Sequence, residues 1–310
     1  MLRYVTIRLL QGVVVLFLIS VLTFGLIHAA PGSPIDLLVG QARVTQQAKD
    51  NLEAKWGLDK PVWEQYSVWL RNVATGDLGS SVIRSGKPVT EMIAEALPYT
   101  LALNAMAITL SIAIAIPLGI LAAYRRNSVL DYITTATSTI GVAVPNYWIG
   151  LLLIIVFASN LGWLPTYGAN AGWRSYVLPV AVLAFEEMAG LIRVTRGATL
   201  EALTTDHVQT ARAKGLRERT VMMRHVVRNA MLPIVTVLGY RIAFILSGTI
   251  VIETVFAFPG IGQLFSASLL NLDYQVVQAL VLLLALIVVV GNLLTDLTYA
   301  LIDPRIRISG

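Results

Sequence analysis

The residues best placed to do chemistry are ionisable groups set inside apolar runs. Glu186 and Glu187 interrupt one run, Arg241 another and Asp296 a third. A charge in hydrocarbon is costly, so each must face a partner or a watery path. At about 1.5 Å of rise per residue, Arg241 lies roughly 14 Å and Asp296 roughly 8 Å from the nearer end of its run. Glu186 and Glu187 sit at a depth similar to that of Arg241. Two readings stand. In one, Arg241 locks helices together by pairing with Glu186 or Glu187, or as second choice with Asp296; in the other, these groups line a pore.

Other chemistry is missing. The three histidines, His28, His207 and His225, form no H-E-x-x-H pair, and no G-x-S-x-G elbow occurs. With no cysteine, disulfides, thiolate zinc sites and cysteine nucleophiles are excluded. Gly260 and Gly262 begin a G-x-G, but Phe265 stands in the third position; Gly86-Lys87 is followed by Pro88, so it is no phosphate loop. The expectation is a chain with no catalytic residue, no metal and no bound cofactor, whose energy source is supplied by a partner.

The elements that position these charges are apolar. Of 310 residues, 56% are hydrophobic and 13% charged, against roughly 25% charged in soluble domains. Mean hydropathy is +0.72. This predicts an all-α polytopic membrane protein. The run at 9–30 exceeds the 7–15 residues of a signal sequence and reaches the roughly 20 that a span needs. Further runs fall at about 99–123, 132–161, 176–197, 232–258 and 276–301. Six transmembrane helices put both termini on one side. The Lys/Arg bias makes that side cytoplasmic, because Arg3, Arg8, Arg125, Arg126, Arg305, Arg307 and the cluster from Arg193 to Arg228 then share it. A net charge of +5 therefore reflects topology rather than nucleic acid. Pro117, Gly119, Gly141, Pro145 and Pro179 predict kinks, or hinges for a channel-opening motion. The organisation expected is a tail and first helix at 1–30, an extracytoplasmic segment at 31–98, and a core at 99–310 with a cytoplasmic loop at 198–231. In the external segment Trp56, Trp63, Tyr66 and Trp69 are expected to pack a small core or lie on the membrane surface.

That loop is the polar island of the chain. It carries Arg212, Lys214, Arg217, Arg219, Arg224 and Arg228, too much charge to cross a bilayer, yet its pattern is helical. Val208, Ala211 and Gly215 recur at i, i+3 and i+7 on one face. Small residues there would let a partner approach closely, while Arg212 and Lys214 point elsewhere, towards acidic partner groups or lipid phosphates. Gly215 should end or bend this helix. A second helical pattern runs to Met231, and Pro233 fits the first turn of a new helix. The plainer reading is a basic loop that only enforces topology.

At these residues the chain resembles the coupling loop of ATP-binding-cassette importer permeases, more narrowly the dipeptide/oligopeptide family in the member with a large external segment. The family's D-Y-V-x-T-A-R-A-K-G-L appears as Asp206-His207-Val208-Gln209-Thr210-Ala211-Arg212-Ala213-Lys214-Gly215-Leu216. His207 replaces the usual Tyr, and Gln209 stands where the broader motif has an acid. Ala30-Pro31-Gly32-Ser33-Pro34, Gly57-Leu58-Asp59-Lys60-Pro61, Gly76-Asp77-Leu78-Gly79, Trp163-Leu164-Pro165, Glu253 with Phe258-Pro259-Gly260-Ile261-Gly262, Asp273-Tyr274 and Asp303-Pro304-Arg305 extend the likeness over nearly the whole chain. The resemblance implies a plasma-membrane permease subunit paired with a second permease, two cytosolic ATPases that hold ATP and Mg, and an extracytoplasmic solute-binding protein. A helix within 204–218 would dock on an ATPase. Pro259, Gly260 and Asp77 would serve the outer gate or contact the binding protein. Peptides are the implied substrate, with nickel chelates, glutathione or haem as alternatives. A rival from another class is an ion-coupled secondary transporter using Glu187, Arg241 and Asp296.

Overall fold

The computed structural model describes residues 2–29, 59–81, 83–243 and 249–302, with side chains described outside 2–4, 240–243 and 295–302. Among these residues the chain is helical, and its one β-type pairing is an isolated bridge between Ser80 and Pro88. In order come α1 (Leu2–Ala29), α2 (Val62–Ala74), α3 (Val89–Tyr124), α4 (Val129–Ala143) and α5 (Asn146–Leu153), which continues as a π-helical turn at Ile154–Asn160. Then follow α6 (Arg174–Leu203) and α7 (Asp206–Ala213). Glu218–Thr220 and a π turn at Val221–Val227 lead into α8 (Arg228–Ala243). The chain closes with α9 (Ile250–Val255), α10 (Ile261–Leu270) and α11 (Tyr274–Ile302).

Among the described residues four helices are long and apolar enough to cross a membrane: Val5–Ala29, Val89–Tyr124, Glu218–Gly239 and Tyr274–Leu294. A fifth is added if Val129–Ala143 and Asn146–Asn160, bent by 101°, form one span. The run expected as a single third span is thus broken. Pro145 cannot donate a backbone hydrogen bond, and it forces its predecessor Val144 into an extended conformation of φ −93°, ψ 126°. The run expected as the fourth span is helical throughout as α6, but it is the packing hub rather than one of these candidates. It lies along α3 and also meets α4, α5, α8 and α9. Leu191 and Ile192 of α6 close a core with Ala115 of α3 and Ile234 of α8.

Two expected boundaries move. The helix that carries the 99–123 run begins earlier, at Val89, so 89–98 is helical and continuous with it as part of α3, and Pro98 is carried inside the helix. Pro233 also lies inside a helix instead of starting one. The helical path runs from Glu218 through it because Val221, Val226 and Ala230 bury one face against Ala202, Val208 and Ala211. Tyr66 and Trp69 of α2 pack on Phe24 of α1 at ring-centroid distances of 5.3 and 5.8 Å. Trp63 remains largely exposed, and Trp56 lies outside the described residues.

Close approach of helix backbones relies on small residues. A Cβ at Gly119 would meet Thr195 of α6 at 2.7 Å, and one at Gly141 would meet Ala189 Cβ at the same distance. Beside the latter contact, Ser138 of α4 donates to the Ala189 carbonyl.

Candidate functional site

The polar island folds as a helix and a return. Thr205 precedes α7 in an extended conformation, and its hydroxyl turns back to the Ala202 carbonyl at 2.6 Å. The helix ends in a Schellman motif: Gly215 N–H donates to the Arg212 carbonyl (2.9 Å) and Leu216 N–H to that of Ala211 (3.3 Å). Gly215 makes this possible with φ +76°, a left-handed conformation that side chains disfavour. The expectation that Gly215 ends the helix holds.

Two of the three residues on the face expected to meet a partner are turned inward, and the third, Gly215, is exposed. Val208 is 0% and Ala211 4% exposed, both buried in the chain's own cluster with Ala202, Val221, Val226 and Ala230. The small residues permit close packing, but of α7 on the helices that flank it. The outward edge instead carries His207, Gln209, Thr210, Arg212, Ala213, Lys214, Gly215 and Leu216. Arg212 is also engaged within the chain. Its Nη2 and Nε donate to the two carboxyl oxygens of Glu218 at 2.6 and 3.2 Å, bridging the Gly215 turn. Glu218 thereby raises the affinity of the Arg212 guanidinium for its proton. A second link joins α7 to α8, where Asn229 Nδ2 donates to His207 Nε2 at 2.7 Å.

Of the charges set in apolar runs, Glu186 is exposed and accepts a hydrogen bond from Asn146 Nδ2 at 2.6 Å, at the bend between α4 and α5. Glu187 is half-buried and engaged. The side chains of Arg241 and Asp296, and with them the expected pairings, lie outside the described residues.

Two clusters join residues that no local pattern brings together, although Glu253 and Gly260 already belong to a stretch that carries the resemblance. Asp131 in the first turn of α4 takes a two-pronged ion pair from Arg196 of α6, with Nε to Oδ1 at 2.5 Å and Nη2 to Oδ2 at 2.9 Å. The second cluster surrounds Glu253, which is fully buried. Its Oε1 accepts from Thr100 Oγ1 of α3 (2.7 Å), and its Oε2 accepts from the backbone N–H groups of Gly262 (2.6 Å) and Gln263 (3.3 Å). Thr100 Oγ1 in turn accepts from Ile261 N–H at 2.8 Å. The opening N–H groups of α10 are therefore satisfied by side chains from α9 and α3. Gly260 is needed for this: a Cβ there would collide with Glu253 Oε2 and lie 2.5 Å from Thr100 Oγ1. Gly260 is buried and Pro259 half-buried, whereas Asp77 lies on the exposed Gly76–Gly79 turn, where its Oδ1 accepts from Gly79 N–H at 2.9 Å.

Residues 115–308 match the family described as binding-protein-dependent transport system inner membrane component, and residues 1–104 match its N-terminal companion. The chain is 42% identical to the oligopeptide transport system permease protein AppB of Bacillus subtilis, covering 99% of this chain and 100% of that one. It is 37% identical to the oligopeptide transport system permease protein OppB of Haemophilus influenzae over 99% and 100% of the two chains. Against the glutathione transport system permease protein GsiC of Escherichia coli the identity is 39%, over 99% of each. In fold it resembles the solved amino acid ABC transporter with histidines, with a TM-score of 0.54 and 16% identity over 67% of this chain and 93% of that one. The inward-facing MetNI methionine ABC transporter gives a TM-score of 0.52 and 18% identity over 67% and 96%. The chain belongs to the family of binding-protein-dependent transport system inner membrane components and is a multi-pass permease subunit of an ABC importer.

Proposed function

We propose that this chain forms half of a translocation pathway for di- and oligopeptides, in a heterodimer with a second permease. Two cytosolic ATPases hold the ATP and Mg, this chain binds no cofactor and catalyses no reaction, and an extracytoplasmic protein delivers the peptide. Both termini are cytoplasmic and six spans cross the membrane, with α6 one of them and the bent α4–α5 pair another. The observation that carries the coupling role is the mounting of α7. Its apolar face is held in the chain's own core, while Arg212–Glu218 and His207–Asn229 fasten it to the helix that follows. A displacement of its exposed Gln209–Leu216 edge is therefore passed to α6 and α8 as a rigid push. ATP drives transport because it favours one of two arrangements of the bundle.

Purification in mild detergent tests the assembly. A second permease and ATPase subunits travelling with the chain support the reading, and a lone homo-oligomer would refute it. The likeness to a glutathione permease makes that tripeptide the second substrate to try. Uptake that persists without ATP and follows an ion gradient would instead favour the secondary transporter.

A further inference from the structure

We propose that one stripe of α6 holds the substrate in transit, with a carboxyl for the peptide's ammonium and a guanidinium for its carboxylate. This rests on the peptide-permease reading above. α6 is covered by α3, α4, α5, α8 and α9, and between residues 175 and 200 it leaves Glu186, Arg193 and Gly197 exposed. These positions are i, i+7 and i+11, one line along a helix. Gly190 falls on the same line, half-exposed and without a side chain. The uncovered strip thus presents two opposite charges separated by bare backbone.

Among the described residues neither charge meets an opposite one. Glu186 has a neutral partner, the Asn146 amide, and no ion pair among the described residues. Arg193 likewise has no ion pair among the described residues, whereas Arg196, one turn on, is committed to Asp131. The bend of 101° after Val129–Ala143 places the Asn146 amide beside Glu186, so the wall is polar at this level. Glu186 lies inside an apolar run, where lipid tails offer a carboxylate nothing, and Arg193 lies towards the cytoplasmic end of the same line, so the two mark a path leading to that side.

The spacing suits a short zwitterion. Seven residues of helix separate the two Cα atoms by about 10.5 Å, which an extended peptide of three or four residues spans at about 3.3–3.6 Å per residue. Glu186 meets the ammonium and Arg193 the carboxylate. The site takes free-ended tri- and tetrapeptides, and distinguishes them from chains with a blocked end.

The test uses the complete importer in proteoliposomes, with tripeptides bearing free, N-acetylated or C-amidated ends as probes. Each variant is compared with wild type on the same probe, so discrimination by the delivering protein cancels. Glu186→Gln should lower the ratio of free to N-acetylated uptake about tenfold, the loss of one charge-assisted contact. Arg193→Gln should do the same for the ratio of free to C-amidated uptake. Unchanged ratios, or an equal loss for all three probes, would overturn the proposal. Co-purification is read alongside; if either variant sheds the second permease, the stripe is a subunit interface and the proposal falls. A wild-type importer that moves no peptide would remove the peptide reading itself, and this one with it.

Discussion

Replacing Glu253 should loosen the junction of α3, α9 and α10 by an amount set by which hydrogen bonds remain. Glu253→Ala strands the N–H groups of Gly262 and Gln263 and leaves the Thr100 hydroxyl without its acceptor. A buried donor left unpaired costs about 1–3 kcal/mol. Gln263 is half-buried and recovers part of that loss, so the total should be about 3–5 kcal/mol. Glu253→Gln keeps one oxygen at the α10 N-terminus and turns an amide towards Thr100, whose hydroxyl can rotate to accept. That variant should cost about 1–2 kcal/mol. Thr100→Val removes the donor to Glu253 and the acceptor for Ile261 N–H, so the two sites share one network. Reversible unfolding of the purified chain in mixed detergent micelles, read by tryptophan fluorescence, gives each free energy. The order should be Ala, then Gln, then wild type. A Thr100–Glu253 double-mutant cycle should show coupling of at least about 1 kcal/mol. Additivity within about 0.5 kcal/mol, or a Gln variant as damaged as the Ala variant, would refute the reasoning.

Four more expectations can be checked. At Gly215 nothing lies within 4 Å of an added Cβ, so Gly215→Ala should cost only the left-handed backbone, about 1–2 kcal/mol, with Gly215→Asn milder in thermal unfolding. Gly215→Trp projects from the exposed edge and should abolish coupled ATP hydrolysis in the reconstituted importer while the chain still inserts; normal coupling would remove the docking role from α7. Asp131→Asn should destabilise by about 3–5 kcal/mol in micelle unfolding, because Arg196 is left part-buried without its partner. Glu218→Gln should cost less than about 1 kcal/mol, since its pair with Arg212 is exposed, and added salt should shrink the difference from wild type.

Much of the chain could be read from its residues. Apolar runs of span length placed α1, α3 and α11, because an α-helix satisfies its own backbone and needs only local sequence to be recognised. The Asp206–Leu216 stretch was legible for the same reason, since i, i+3, i+7 spacing and a glycine stop are local. The direction of its apolar face was not. Small residues permit close approach to anything, and composition does not say whether the neighbour is another protein or the same chain. The location of Pro233 went astray through the same gap: proline favours a first helical turn, but the packing of Val221, Val226 and Ala230 carried the helix through it.

The charged and polar clusters mark the boundary more sharply. Glu186 stood out by itself as a carboxyl in an apolar run, because burial of charge is costly wherever the chain goes. Its partner Asn146 lies 40 residues away, Arg196 lies 65 from Asp131, and Thr100 lies 153 from Glu253. No periodicity spans such separations. The sequence by itself determined a helical membrane permease with a basic, helical polar loop, through hydrophobicity, charge bias and local motif. The tertiary structure alone decided which face of α7 turns outward, what the Glu186 carboxyl meets and which side chains hold α10, because each depends on contacts between helices remote in sequence.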